Sequence, residues 1–198
     1  GPQASWTVVG DPAQSSYPDH AETEKAMAEI IGRGQHRTFT LSTNYRSPSE
    51  VFDLAAAFIS KVDPGASLPD AVRSTGVHPR LLESTAADWQ QLLRDEVITL
   101  AGQVMGTIGI VVAPSRLAEV TKFVLADDRL AAFEERLLVV TALQAKGLEY
   151  DGVVIVGPDE IVDEAPGAER VLYVALTRAT QRLITIDIDR SRWRELLD

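Results

Sequence analysis

Four short polar segments, each at the end of an apolar run, hold the side chains best suited to chemistry in this sequence. The first, Val9-Gly10-Asp11-Pro12-Ala13-Gln14-Ser15-Ser16-Tyr17, sets the Gln14 amide just past an apolar run. Such an amide can donate to a terminal phosphate oxygen and accept from an attacking water, although Gly-Asp-Pro is also ordinary turn chemistry. The second, Asn44-Tyr45-Arg46-Ser47, offers a flat ring and a guanidinium fork. The ring can stack on a base and the fork suits phosphate oxygens or a carboxylate; a packed loop would use the same residues. The third, Ala145-Lys146-Gly147-Leu148-Glu149-Tyr150-Asp151, follows Thr141 and carries Glu149, a carboxylate able to accept from ribose hydroxyls or simply to sit in water. The fourth, Tyr173-Val174-Ala175-Leu176-Thr177-Arg178-Ala179, puts Arg178 on a stripe with Val171, Val174 and Ala175. A guanidinium on an apolar stripe is costly unless it meets an anion, either a ligand or an internal carboxylate.

The elements that must position these groups follow from periodicity. Ser5 to Val9 reads as a strand ending at Gly10-Asp11, and Ala21 to Ile31 as a helix with Ala26, Ile30 and Ile31 on its apolar side. Arg37 to Leu41 alternates as a short strand. Ser47-Pro48-Ser49-Glu50 reads as a capping box with proline at the first helical position, opening a helix through Val51, Leu54, Ala55, Phe58, Ile59 and Val62. Asp63 to Pro79, with three prolines and two glycines, reads as loop. Strands are expected at 80–83, 107–113, 137–141, 152–156 and 183–188, and helices at 86–101, 115–125, 169–179 and 190–197. Solidly apolar short strands alternating with amphipathic helices predict an α/β domain whose parallel sheet is covered on both faces. In such sheets ligands gather at the carboxyl ends of strands, where the segments at Gly10, Ser42 and Thr141 are expected to fall. Val153 to Glu160 imitates a magnesium-binding strand end, but no Gly-x-x-x-x-Gly-Lys-Ser/Thr loop lies upstream and Pro158 moves the acids into a loop or helix start.

Composition narrows the classes. The 198 residues suffice for one well-buried domain and part of a second, and 45% hydrophobic with 24% charged residues is ordinary for a globular chain. No cysteine is present, which excludes disulfides and thiolate chemistry; His20, His36 and His78 lack the spacing of metal ligands, so no metal site is expected. No run of about 18 apolar residues and no signal peptide occurs, so no membrane contact is expected and a cytoplasmic location is the default. The net charge of −10 disfavours phosphate-rich tracks and leaves solubility or a protein partner as its meaning. Beginning at Gly1 without methionine, the sequence reads as a piece of a longer protein.

Taken in order, the four segments resemble the C-terminal motor motifs of UvrD/Rep-type superfamily 1 DNA helicases, over about Trp6 to Ile186. The resemblance implies a RecA-like second motor domain at 21–198, lacking its own phosphate loop, with 1–20 left from the end of the first RecA-like domain. It implies that ATP with Mg is held mainly by an N-terminal RecA-like domain of the same protein, that Gln14 senses the γ-phosphate, and that Arg46 and Arg178 reach it as arginine fingers. It further implies that Tyr45 stacks on adenine, Glu149 contacts the ribose, Gly147 shapes the turn with Lys146, and Tyr17 and Thr141 lie toward nucleic acid. Alone, the chain is expected to be inactive.

Two departures bear on the substrate. Tyr17-Pro18-Asp19-His20 stands where DNA-tracking relatives follow the tyrosine with glycine and a stacking tryptophan, and Leu143 stands where they carry a DNA-touching histidine. The stretch from Ser47 to Thr141 is also too short for the large accessory subdomain of UvrD and Rep. With the acidic charge, these features resemble the HelD branch, which implies action on RNA polymerase and weak DNA contact from this domain. A conventional DNA helicase domain and a non-catalytic RecA-like interaction module are the alternatives.

Overall fold

Valine, isoleucine and leucine dominate the middle of the sheet, at 108–112, 153–156 and 183–186, and are buried on both of its faces. In the computed structural model, which describes residues 7–10, 14, 20–32, 37–40 and 42–197, the elements run α1 (His20–Ile31), β1 (Thr43–Asn44), α2 (Ser49–Val62), β2 (Asp70–Ala71), β3 (Arg80–Ser84), α3 (Trp89–Ala101), β4 (Ile108–Val112), α4 (Leu117–Ala126), α5 (Asp128–Ala131), β5 (Leu137–Thr141), β6 (Tyr150–Val156), α6 (Pro158–Asp163), α7 (Glu169–Leu176) and β7 (Ala179–Ile188). The main sheet has the order β3-β7-β6-β4-β5 and every neighbouring pair in it is parallel. The α/β class with a parallel sheet, expected from the alternation of elements, is what the chain adopts.

Strand pleating divides the core in two. Ile108, Ile110, Val112, Val154, Val156, Ile184 and Ile186 point to one face, where α3 covers them with Trp89, Leu93, Val97 and Leu100. Val111, Val153, Ile155 and Leu183 point to the other, against Val51, Phe58 and Ile59 of α2 and Leu172, Tyr173 and Leu176 of α7. Each such side chain withdrawn from water contributes about 1.5–3 kcal/mol before chain entropy is subtracted, so the three layers hold one another in place.

The carboxyl ends of β6 and β7 are closed by the chain itself. Trp193, buried in a 3-10 turn over Arg192–Leu196, donates its indole N–H to Asp187 Oδ1 at 2.7 Å and its backbone N–H to Asp159 Oδ1 at 2.9 Å. Arg194 pairs with Asp187 from the other side. Burial pushes the Asp187 carboxyl up, against the downward pull of the indole and of Arg194. Of the segments expected at carboxyl ends of strands, the one at Thr141 does lie there, at the end of β5. Pro158 does open a helix, so Asp159 and Glu160 lie in its first turn.

Other expectations need correction. Residues 7–10 and 37–40 form no strand, whereas Thr43–Asn44 and Asp70–Ala71, the latter inside the expected loop, pair as a short parallel ladder. Ala26, Ile30 and Ile31 of α1 are exposed, so the face read as buried is open among the described residues. The helix expected over 169–179 ends at Leu176, and the last segment winds as a 3-10 turn instead of an α-helix. Tyr17 lies outside the described residues, as do Asp11, Pro12, Ala13 and His36. No helix among the described residues is long and apolar enough to cross a membrane.

Gly109 of β4 lies under the Tyr150 ring: a Cβ there would come within 2.8–2.9 Å of three ring carbons. A ring fixed between strands cannot swing away as a flexible chain end can. Gly109→Ala is therefore expected to lower stability by about 1–3 kcal/mol, read as a reduced midpoint in denaturant unfolding; a wild-type midpoint would show that the ring is free to move.

Candidate functional site

The parallel strands bring their amino ends to one edge, and the residues just ahead of β6 and β7 meet there. Arg178 immediately precedes β7, and Leu148 and Glu149 immediately precede β6. The two strands are tied at this point by the Tyr150 N–H, which donates to the Arg178 carbonyl at 3.1 Å.

Arg178 is 1% exposed, the most deeply placed cation of the site. Its Nε donates to the Val174 carbonyl at 2.9 Å, an acceptor left unused because α7 stops at Leu176. Nη2 donates to Thr177 Oγ1 at 3.1 Å and to Gln14 Oε1 at 3.4 Å, and Nη1 to the Leu148 carbonyl at 3.4 Å. Gln14 is half-buried over this guanidinium, and its own carbonyl accepts from Lys146 Nζ at 3.1 Å. The Tyr150 hydroxyl is buried with no hydrogen-bond partner among the described residues; burial pushes its pKa up, while the Arg178 charge opposes that rise.

Asn44-Tyr45-Arg46-Ser47 reaches the same rim from a separate element. The Asn44 side-chain oxygen accepts from the N–H groups of Arg46 at 2.9 Å and Ser47 at 3.3 Å, a local turn that only a short polar side chain can make. This turn leaves Tyr45 75% exposed. Arg46 Nε meets Glu149 Oε1 at 2.5 Å, with both side chains open to solvent. Ser47 is buried, and its hydroxyl donates to the Thr177 carbonyl at 3.1 Å. The capping box read from the sequence is thus not formed. Ser47 serves the neighbouring segment, Pro48 precedes the first helical residue, and Glu50 turns outward.

Glu50 instead gathers the loop after β2. Its carboxylate accepts from Ser74 Oγ at 2.5 Å, Gly76 N–H at 2.7 Å and Thr75 N–H at 3.3 Å. The Ser74 hydroxyl first, then backbone N–H groups, hold the Glu50 carboxyl down at about 2 from an ordinary 4.5.

The turn between β5 and β6 is built by Thr141 and Gln144, which bond reciprocally: the Thr141 N–H to Gln144 Oε1 at 2.9 Å, the Gln144 N–H to Thr141 Oγ1 at 3.2 Å. Thr141 is buried and its hydroxyl accepts within this turn, at the carboxyl end of β5 and apart from the arginine rim. Gly147 then takes φ 84°, a left-handed conformation natural to glycine, which lets the chain reach Leu148 and Glu149. The structure therefore joins Arg46 to Glu149, and Arg178 to Gln14 and the Leu148 carbonyl, just past Gly147, and leaves Thr141 in the turn behind them. Ser47, Arg73 and Thr177 also shape this rim. Ser47 was read only as a cap, Thr177 only as part of its motif, and an arginine in a polar loop gives no pattern by which Arg73 would have been found.

A family model described as the UvrD-like helicase C-terminal domain matches residues 136–186, from the start of β5 into β7. That stretch contains Thr141, Gly147, Glu149 and Arg178; Gln14, Tyr45 and Arg46 lie outside it. Among solved structures, the chain is similar to the C-terminal domain of a possible DNA helicase from Lactobacillus plantarum WCFS1. The two are 18% identical, with a TM-score of 0.55, over 78% of this chain and 94% of that one. This likeness shows a shared α/β fold. No curated protein matches the chain.

Because Glu50 is held below its ordinary value, its contribution to docking the 74–76 loop is present above about pH 4.5 and is lost as pH falls toward 2. Carboxyl NMR is expected to show Glu50 titrating near 2; a midpoint near 4.5 would mean that the loop is not held by it.

Proposed function

We propose that this chain is the nucleotide-coupling second motor domain of an ATP-dependent, superfamily 1 helicase-like protein. The observation that carries the reading is the convergence of Arg46 and Arg178, from elements far apart in sequence, on the rim formed by Leu148 and Glu149, with Gln14 lying on Arg178. The UvrD-like match over 136–186 supports it.

The donor set suits a triphosphate. Guanidinium groups match phosphate oxygens in geometry and charge, and none of the described residues at the rim makes the cradle of backbone amides and lysine that would grip the rest of the nucleotide. On this reading ATP and its magnesium are held by another RecA-like domain, and this chain faces them. Arg46, now on an exposed carboxylate, exchanges Glu149 for phosphate oxygens, which frees Glu149 to accept from ribose hydroxyls. Tyr45, already turned outward, presents its ring to the adenine. Arg178 stays in its carbonyl cage and offers charge to the phosphoryl group in transfer, with Gln14 beside it to orient the attacking water. Once the terminal phosphate has left, both arginines lose their anion and the two domains part, which converts hydrolysis into motion.

A second reading concerns what the motor works on. Leu143 is 55% exposed where DNA-tracking relatives place a DNA-contacting histidine, and the chain carries a net charge of −10. Both favour a protein-bound machine, HelD-like work on RNA polymerase, over processive DNA tracking; the family description itself speaks only of UvrD-like helicases.

Arg178→Ala in the full-length protein is expected to lower ATP turnover by about 10³–10⁵-fold, the span of arginine-finger contributions, while the protein remains folded by circular dichroism. Unchanged turnover would refute the assignment. Stimulation of wild-type turnover by single-stranded DNA would select the DNA helicase reading; stimulation by RNA polymerase alone would select the other.

A further inference from the structure

The turn that carries Arg46 is held by a strap that belongs to none of the four segments. After β2, the Val72 N–H donates to the Asn44 carbonyl at 3.2 Å, and the Arg73 carbonyl accepts from the Ser49 N–H, the first of α2, at 2.6 Å. The Arg73 side chain then doubles back. Its Nη2 donates to the Arg46 carbonyl at 2.5 Å and also to the Thr180 carbonyl in β7. Glu50 fastens the next three residues, 74–76, onto the opening of the same helix. On the other side of Arg178, the Ser47 hydroxyl donates to the Thr177 carbonyl. Arg178 is thereby bracketed: the residue before it and the residue two beyond it are both bonded to the strap-and-turn unit that presents Arg46.

We propose that Arg73 is a positioning residue for the nucleotide site, which locks the backbone of Arg46 to the first residues of β7 so that Arg46 and Arg178 move as one body. This inference rests on the functional reading above. Three features of the geometry support it. One guanidinium nitrogen bridges carbonyls from two elements separated by more than a hundred residues, so its loss frees one element from the other without removing a donor that touches nucleotide. The Ser47 bond ties the Arg46 turn to the segment ahead of Arg178; the Arg73 bridge adds an attachment beyond Arg178, at Thr180. The strap is itself anchored by the Glu50 carboxylate and by the Ser49 N–H, so Arg73 is held at its backbone before its side chain reaches across.

The test is a kinetic cycle on the full-length protein, with Arg73→Ala, Arg46→Ala and the double variant. A displaced finger loses interactions made in the transition state, so kcat and kcat/KM for ATP should fall together, by about 10–100-fold for a displacement near 1 Å. Because Arg73 acts through Arg46, adding Arg73→Ala to Arg46→Ala should cost little or no further turnover. Wild-type kcat in Arg73→Ala, or the same fold-loss with and without Arg46, would overturn the proposal; the latter would mean a general structural role. If Arg73→Ala does not fold, Arg73→Lys and Ser47→Ala run the same cycle, each weakening one bridge. Collapse of turnover in Arg46→Ala and Arg178→Ala with none in Arg73→Ala defeats only this inference. Wild-type turnover in all three would defeat the functional reading as well.

Discussion

A guanidinium with almost no contact with water sits at the start of β7, and the surrounding architecture is arranged around the need to satisfy it. Removing an ion of this size from water costs several kcal/mol even after the protein relaxes, unless hydrogen bonds replace the lost hydration. Arg178 receives them from the Val174 carbonyl, the Thr177 hydroxyl, the Leu148 carbonyl and Gln14. Each acceptor places a demand on a different element. Helix α7 must stop at Leu176 for the Val174 carbonyl to be open; the β5–β6 turn must come round at Gly147 for Leu148 to face inward; β6 and β7 must be neighbours for the Tyr150–Arg178 bond to close. Local chain geometry and sheet order thus converge on one charge.

That demand also explains why the two edges of the sheet differ. At the carboxyl edge, Asp159 and Asp187 are buried and already taken by Trp193, Arg192 and Arg194. An edge whose polar groups are mutually satisfied and capped by an indole offers a ligand little. At the amino edge, Tyr45, Arg46 and Glu149 stand in solvent near the buried Arg178. Ligands of open parallel sheets usually gather at the carboxyl ends of strands, whereas Arg178 leads directly into β7 and Arg46 into α2.

The sequence made the sheet legible because β4 and the second half of β6 are solidly apolar, a pattern suited to strands buried on both faces. It made the four polar segments legible because each combines residue types with few structural uses together. It did not reveal β1 and β2: two-residue strands such as Thr43–Asn44 carry no alternation to detect, and their pairing is set by the strap after β2. The capping box misled for a related reason. Ser47 and Glu50 match a local pattern, yet the Thr177 carbonyl, the Ser74 hydroxyl and the Thr75 and Gly76 amides, all remote in sequence, compete for the same side-chain atoms and win. The end of α7 was misplaced because Thr177 and Arg178 continue a helical apolar stripe while their side chains bond back to the last turn.

The two arginines at the rim differ in how firmly they are held, and that difference fits the division of labour proposed for them. The Arg46–Glu149 pair is solvent-exposed, and such pairs contribute about 0–1 kcal/mol. An arriving polyanion can therefore take Arg46 from Glu149 at small cost, and the carboxylate is left next to whatever delivered the anion. Arg178 has no such latitude. Several neutral acceptors fix it, and its rotamer is set before any ligand arrives. Charge held in a fixed direction in a dry site acts on a developing transition state without further reorganisation. The exchangeable arginine is suited to reporting that a nucleotide is present, and the fixed one to acting on it. Their common attachment through Ser47 and Thr177 is what would let the first event be felt at the second.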